Sequence, residues 1–243
     1  AYADDFRDAA DPVLHHVLPK DGEYVLEIRD AVYRGREDFV YRLALGELPF
    51  VTGAFPLGGR AGEPVTASLS GWNLGGEATV PYDTAGFPGE ILAVSPPFPH
   101  GPANSIPYQV GAFPEVPEKE PNDTQDGAQA LELPATVNGR IGLPGDVDLF
   151  KIRGNRGETV VAEVTARNLQ SPLDALVRLR SATGEVVAFN DDAMEKRGDL
   201  HLGLGTLTQG ADPFLETVLP ADGDYWVEIT DARRHGGTDH AYR

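Results

Sequence analysis

The feature that most restricts this fold is an internal repeat. Residues 11–42, DPVLHHVLPKDGEYVLEIRDAVYRGREDFVYR, align without a gap on residues 212–243, DPFLETVLPADGDYWVEITDARRHGGTDHAYR, and about half the positions are identical. Ala1-Tyr2-Ala3-Asp4-Asp5 likewise matches Ala188-Phe189-Asn190-Asp191-Asp192. The second copy carries an additional Gly-rich insertion, Gly198 to Gly210. It is preceded by strand-like sequence and the first copy by none, so the first copy reads as the back half of a domain. Its front half is expected either upstream in a longer chain or on a neighbouring chain. The upstream source is favoured, because half a sandwich leaves a hydrophobic face and an open sheet edge uncovered.

Each copy has the texture of strands. Residues 1–46 predict three, at Val13 to Leu18, Tyr24 to Ile28 and Phe39 to Leu43, with Pro19-Lys20-Asp21-Gly22 as a turn. Tyr24, Leu26 and Ile28 share one face of the middle strand, because side chains alternate across a sheet. His15 and His16 are adjacent and therefore point to opposite faces, which argues against a shared metal. The same texture runs through the chain: 28 Gly and 20 Pro punctuate short Val, Leu, Ile and Tyr runs. The fold class expected is all-β, built of tandem antiparallel β-sandwiches.

Charge and cysteine content exclude several functions. A formal charge of −18 and a pI near 4.6 argue against nucleic acid and anionic membranes, and make divalent cations the natural counter-charges. No Cys is present, so there is no disulfide, thiolate nucleophile or Cys-held metal. No run of about eighteen apolar residues exists to span a bilayer. No signal peptide is visible, which says little for a chain that reads as starting inside a domain.

Residues 47–117 differ in texture. Val51-Thr52-Gly53-Ala54-Phe55-Pro56-Leu57-Gly58-Gly59-Arg60 leads into a strand where Val65, Ala67 and Leu69 alternate with Thr66, Ser68 and Ser70 before Gly71-Trp72-Asn73-Leu74. This resembles the opening of IPT/TIG immunoglobulin-like domains, over about twenty-five residues. Pro81, Pro88, Pro96, Pro97, Pro99, Pro102 and Pro107 leave room for only short or edge strands. Trp72 is expected to anchor the core or a domain boundary.

Residues 118–243 predict eight strands: Ala135 to Gly139, Asp148 to Ile152, Thr159 to Thr165, Ala175 to Arg180, Val186 to Phe189, Phe214 to Leu219, Tyr225 to Thr230 and His240 to Arg243. Such spacing implies an antiparallel sandwich or jelly roll. Its entrance is acidic. Glu118-Lys119-Glu120-Pro121-Asn122-Asp123-Thr124 is followed by Gly145-Asp146-Val147-Asp148-Leu149-Phe150. Together they offer hard oxygen ligands of the kind Ca²⁺ takes, roughly six to eight at about 2.3–2.6 Å. On spacing alone, the alternative is a polar linker and a polar turn. Asn190, Asp191 and Asp192, echoed by Asp4 and Asp5, form a second acidic group that suits either a further cation or a loop cap.

The segment 118–243 resembles the bacterial pre-peptidase C-terminal (PPC) family. The matching residues are Glu120-Pro121-Asn122-Asp123-Thr124, Val137-Asn138-Gly139-Arg140-Ile141, Gly145 to Phe150, Asn190-Asp191-Asp192, Leu219 to Tyr225 and Tyr242. Residues 1–46 resemble the C-terminal half of another such domain. The resemblance implies a β-sandwich appended to secreted proteases and other extracellular bacterial proteins, itself non-catalytic. It is similar to the collagen-binding domains of clostridial collagenases, which hold Ca²⁺ through an E-x-E-x-N-D linker and an aspartate-bearing strand start. Carried over, the ligands are Glu118, Glu120, Asn122, Asp123, Asp146 and Asp148. A tyrosine-rich collagen platform is not evident.

No Gly-x-Ser-x-Gly elbow or His-Glu-x-x-His occurs, and the six histidines lack a zinc spacing. The chain is therefore expected to be no enzyme. The expected role is a calcium-binding segment of a secreted or cell-surface bacterial protein, serving structure, adhesion or assembly by self-association or with adjacent repeats, as in a filament or surface layer. The alternative is an accessory module that brings a secreted hydrolase to an insoluble protein or polysaccharide.

Overall fold

The computed structural model describes residues 1–7, 9, 11–192 and 212–243, so the expected insertion Gly198 to Gly210, and His201 with it, lie outside the described residues. The chain divides into two compact units, Ala1–Leu48 and Pro49–Arg243. Both are free of α-helix among the described residues, and no helix there is long and apolar enough to cross a membrane.

The second unit contains two all-β layered cores. The first is built from β1 (Phe50–Phe55), β2 (Gly58–Arg60), β3 (Val65–Trp72), β4 (Ala78–Tyr82), β5 (Ile91–Val94), β6 (Pro97–Phe98), β7 (Gly101–Pro102) and β8 (Ile106–Gly111). Sheet β1-β3-β4 faces sheet β2-β8-β5. The two pack through Val51, Ala67, Val80, Ile106 and the stacked rings of Tyr82 and Tyr108, whose centroids lie 4.2 Å apart. Period-two alternation explains β4, where Ala78, Val80 and Tyr82 are buried and Thr79 and Pro81 exposed. Of the two roles expected for Trp72, the core one is corrected: it is half-buried, stacks on Phe50 at 5.6 Å and stands outside this core. Trp72 falls in phase with Thr66, Ser68 and Ser70 along β3, so period-two alternation turns it away from the face of Val65, Ala67 and Leu69.

The following strands are β9 (Glu115–Pro117), β10 (Gln129–Ala130), β11 (Thr136–Arg140), β12 (Val147–Gly154), β13 (Thr159–Glu163), β14 (Ala175–Ser181), β15 (Val186–Asn190), β16 (Phe214–Val218), β17 (Gly223–Asp231) and β18 (Ala241–Tyr242). A five-stranded sheet, β10-β12-β17-β14-β15, makes one layer. The other joins β9-β11-β18 to β13-β16 through a reciprocal backbone pair between Thr165 and Arg243. Phe150, Val177, Leu179, Leu215, Leu219 and Ile229 fill the space between. All eight strands expected here are present, with ends shifted by a residue or two.

Not every pairing is antiparallel. β2–β8, β9–β11 and β10–β12 run parallel, and in each pair a two- or three-residue segment lies beside a strand that comes later in the chain. Leu179 is 1% exposed at the centre of β14. Leu179→Ala should therefore cost about 2–5 kcal/mol, read as a lower urea midpoint at unchanged slope.

The first unit departs from expectation. Val13 to Leu18, Tyr24 to Ile28 and Phe39 to Leu43 carry no ladder, and an isolated bridge joins Phe6 and Ala9. A strand takes its hydrogen bonds from a neighbour, and the alternation of Tyr24, Leu26 and Ile28 supplies none by itself. What does form is local: Tyr33 N–H donates to the Asp30 carbonyl, and the Tyr24 hydroxyl donates to the Lys20 carbonyl at 2.6 Å.

Candidate functional site: an acidic cluster at the sandwich entrance

Backbone and side-chain hydrogen bonds hold the linker after β9 against the second sandwich. Gln129 accepts the Lys119 N–H at 2.8 Å, Leu149 N–H donates to the Asn122 carbonyl, and Trp226 Nε1 donates to the Gln125 carbonyl at 3.2 Å. This draws Glu118-Lys119-Glu120-Pro121-Asn122-Asp123 over the start of β12, where Asp146 and Asp148 sit. All six expected ligands therefore come to one place.

They form two carboxylate triads that share Glu120. Glu118, Glu120 and Asp148 make the inner one; Glu120, Asp123 and Asp146 make the outer one, each with ligand oxygens within 4.8 Å of one another. Asp148 is wholly buried, and so is Asn122. Asn122 Oδ1 and Asp148 Oδ1 are buried acceptors with no donor, an arrangement folded proteins rarely tolerate. Three other oxygens are tied in place by backbone donors. Glu118 Oε2 accepts the Arg140 N–H at 2.8 Å, Glu120 Oε2 the Asn122 N–H at 3.0 Å, and Asp146 Oδ2 the Gly142 N–H at 2.7 Å.

Electrostatics agree with this crowding. Burial holds the Asp148 carboxyl well above the usual carboxylate range, with Glu118 beside it adding to the effect. Glu120 is raised by burial and by the charges of Glu118, Asp146 and Asp123. Asp123 is raised by burial and by Asp146. Such a set needs protons or a cation, and its donor chemistry, carboxylates with one amide, is that of Ca²⁺.

Two participants were not expected as site residues. Tyr242 is buried, and its hydroxyl lies 2.8 Å from Glu118 Oε1 and 2.6 Å from Asp148 Oδ2, locking the two acids together. Arg140 sets its guanidinium 3.7 Å over the Phe55 ring, with Nε buried and unpartnered. Phe55 belongs to β1, so Arg140 ties the acidic cluster to the first sandwich. The sequence did signal Tyr242, because Tyr41 repeats it at the end of the first copy. Gly139 makes room for that ring, since a Cβ there would collide with the phenol.

Tyr242→Phe removes the donor that Glu118 and Asp148 share. The metal-free protein should lose about 1–3 kcal/mol, measured by urea unfolding in chelator.

Among the described residues, the second acidic group does not gather. Asn190 accepts the Phe214 N–H at 3.3 Å, and Asp191 and Asp192 are exposed. Among the described residues, the carboxylate groups that come together at metal-ligand spacing are the two triads alone. The Asn190 contact is that of a loop cap.

No protein-family profile matches the chain. Over 114 residues it is 33% identical to a probable subtilase-type serine protease of Deinococcus radiodurans. The aligned stretch is 46% of this chain and 14% of that protein, so the chain spans a small part of the relative it matches.

Proposed function

We propose that this chain is a non-catalytic, calcium-binding all-β segment that accompanies a secreted bacterial protease of the subtilase type. The observation that carries the metal is the pair of buried, donor-less oxygens, Asn122 Oδ1 and Asp148 Oδ1, inside a ring of carboxylates. A cation on the inner triad gives both an electrostatic partner and lifts the repulsion among Glu118, Glu120 and Asp148. Glu120, shared by the triads, leaves a place for a second ion at Asp123 and Asp146. The likeness to the PPC family supports the same ligand set, and the Deinococcus protein supports the protease context.

In this reading Ca²⁺ fixes the linker on the second sandwich and sets the attitude of neighbouring domains outside the cell. Catalysis belongs to another part of the polypeptide, and the segment delivers or positions it on an insoluble protein or polysaccharide. A purely structural role in adhesion or assembly is the second reading, favoured by the internal repeat.

Native mass spectrometry of protein passed through chelator and then dialysed against Ca²⁺ tests the proposal. One or more Ca²⁺ per chain is expected, with loss of bound metal in Glu120→Ala and Asp123→Ala. A chain that stays metal-free at millimolar Ca²⁺ would reduce the cluster to a polar linker and turn. Sedimentation in Ca²⁺ separates the two readings of role: end-to-end oligomers favour assembly, and a monomer that pellets with an insoluble polymer favours delivery.

A further inference from the structure

The two copies of the repeat are the same locally and opposite in burial. In the second copy, Asp231 Oδ1 accepts the N–H groups of Arg233 and His235, and Arg234, at φ +60°, donates to the Asp231 carbonyl. In the first, Asp30 Oδ1 accepts those of Val32 and Arg34, and Tyr33, at φ +59°, donates to the Asp30 carbonyl. Tyr225 and Tyr24 both donate their hydroxyls to the carbonyl four residues earlier, at 2.7 and 2.6 Å. The turns of both copies are thus built alike.

Burial is where they part. Leu219, Tyr225, Ile229 and Tyr242 are 1%, 3%, 4% and 2% exposed, whereas their counterparts Leu18, Tyr24, Ile28 and Tyr41 are 59%, 45%, 48% and 75% exposed. The difference lies in what the second copy packs on. β17 is sandwiched between β12 and β14, β16 pairs with β13, and β18 pairs with β11. The polar groups are matched too. Glu228 meets Arg178 and Arg180, and Asp212 accepts the N–H groups of Ala166, Arg167 and Asn168. Glu27 and Asp11 keep those two acids in the first copy.

We propose that residues 11–42 are a docking half for a front-half β-sheet of the same kind as residues 115–190 and distinct from them. The partner's chemistry follows position by position: a central strand to lie beside residues 24–28, paired arginines for Glu27, and a carboxylate cluster for the Tyr41 hydroxyl. Residues 212–243 already pair with the strands of residues 115–190, so that front half is not free to serve residues 11–42, whether in the same chain or in a second copy. The surface does not depend on the metal site for its argument.

The test fuses a second copy of residues 115–187 directly ahead of Ala1 of the full chain, using the match of Ala1 with Ala188 as the junction. Amide hydrogen exchange is followed at residues 24–28 and 225–229 in the original and the fused protein. In the original, residues 24–28 should exchange at least about 100-fold faster than 225–229; in the fusion both should be protected alike. Ile28→Asp in the fusion should remove protection at 24–28 and leave 225–229 unchanged. Residues 24–28 that stay unprotected in the fusion, with 225–229 protected, overturn the proposal. So does a stable dimer of the original chain in which 24–28 are already protected, since the occupant is then a second copy.

Discussion

Millimolar Ca²⁺ should raise the melting temperature of the chelated protein by about 5–10 °C. An ion present at a hundred times its dissociation constant adds about 2.7 kcal/mol. For a chain of this size each kcal/mol is worth about 2–4 °C. The increment should also grow with pH. Asp148, Glu120 and Asp123 have folded-state pKa values raised above their unfolded ones. Their contribution to the metal-free fold is therefore fully present below the ordinary carboxylate value of about 4, and is lost as pH rises through the raised folded values. Ca²⁺ holds the same groups ionised, so it contributes most where the metal-free fold is weakest, nearer pH 8 than pH 5. Asp148→Asn discriminates. It removes the cost of holding the buried Asp148 carboxyl protonated, so the chelated protein should melt no lower than the original, while the Ca²⁺ increment disappears. A variant that melts lower in chelator yet keeps the full increment would place the cation elsewhere.

Local pattern made much of this legible. The alternation in β3 and the turn residues between strands are properties of adjacent positions, and the acidic motifs reveal themselves by residue type. The sequence did not show which groups close the site. Tyr242 reaches Glu118 across 124 residues and Arg243 reaches Glu115 across 128, and both contacts exist only once β18 has paired with β11. The same physics explains the unpaired strands of the first unit. Residues 24–28 have the period of a strand and the turn chemistry of their twin, but a ladder depends on a neighbour that alternation does not specify. The outward place of Trp72 was legible: it shares the parity of Thr66, Ser68 and Ser70, so alternation along β3 by itself turns it off the face of Val65, Ala67 and Leu69.

Arg243→Ala should cost about 3–5 kcal/mol, a loss of roughly 10 °C. The side chain of Arg243 is 2% exposed, and Nη1 and Nη2 donate to the two oxygens of Glu115 at 2.9 and 2.6 Å. Gly111, at the end of β8, leaves the space the guanidinium fills. Without Arg243, Glu115 keeps a single side-chain donor, Asn138 Nδ2, and a partly buried carboxylate is left short of charge compensation. Replacing both partners by leucine should restore most of the loss, because the penalty comes from the orphaned charge rather than from the absence of a pair. The consequence reaches the cluster. Glu115 stands three residues before Glu118 on the same run of chain, and Arg243 follows Tyr242, which clasps Glu118 and Asp148. Arg243→Ala should therefore weaken Ca²⁺ binding as well as the fold, and the leucine pair should recover both. If stability returns and Ca²⁺ affinity does not, the ion pair acts on the site through its charge; if both return together, it acts by holding β9 and β18 in register.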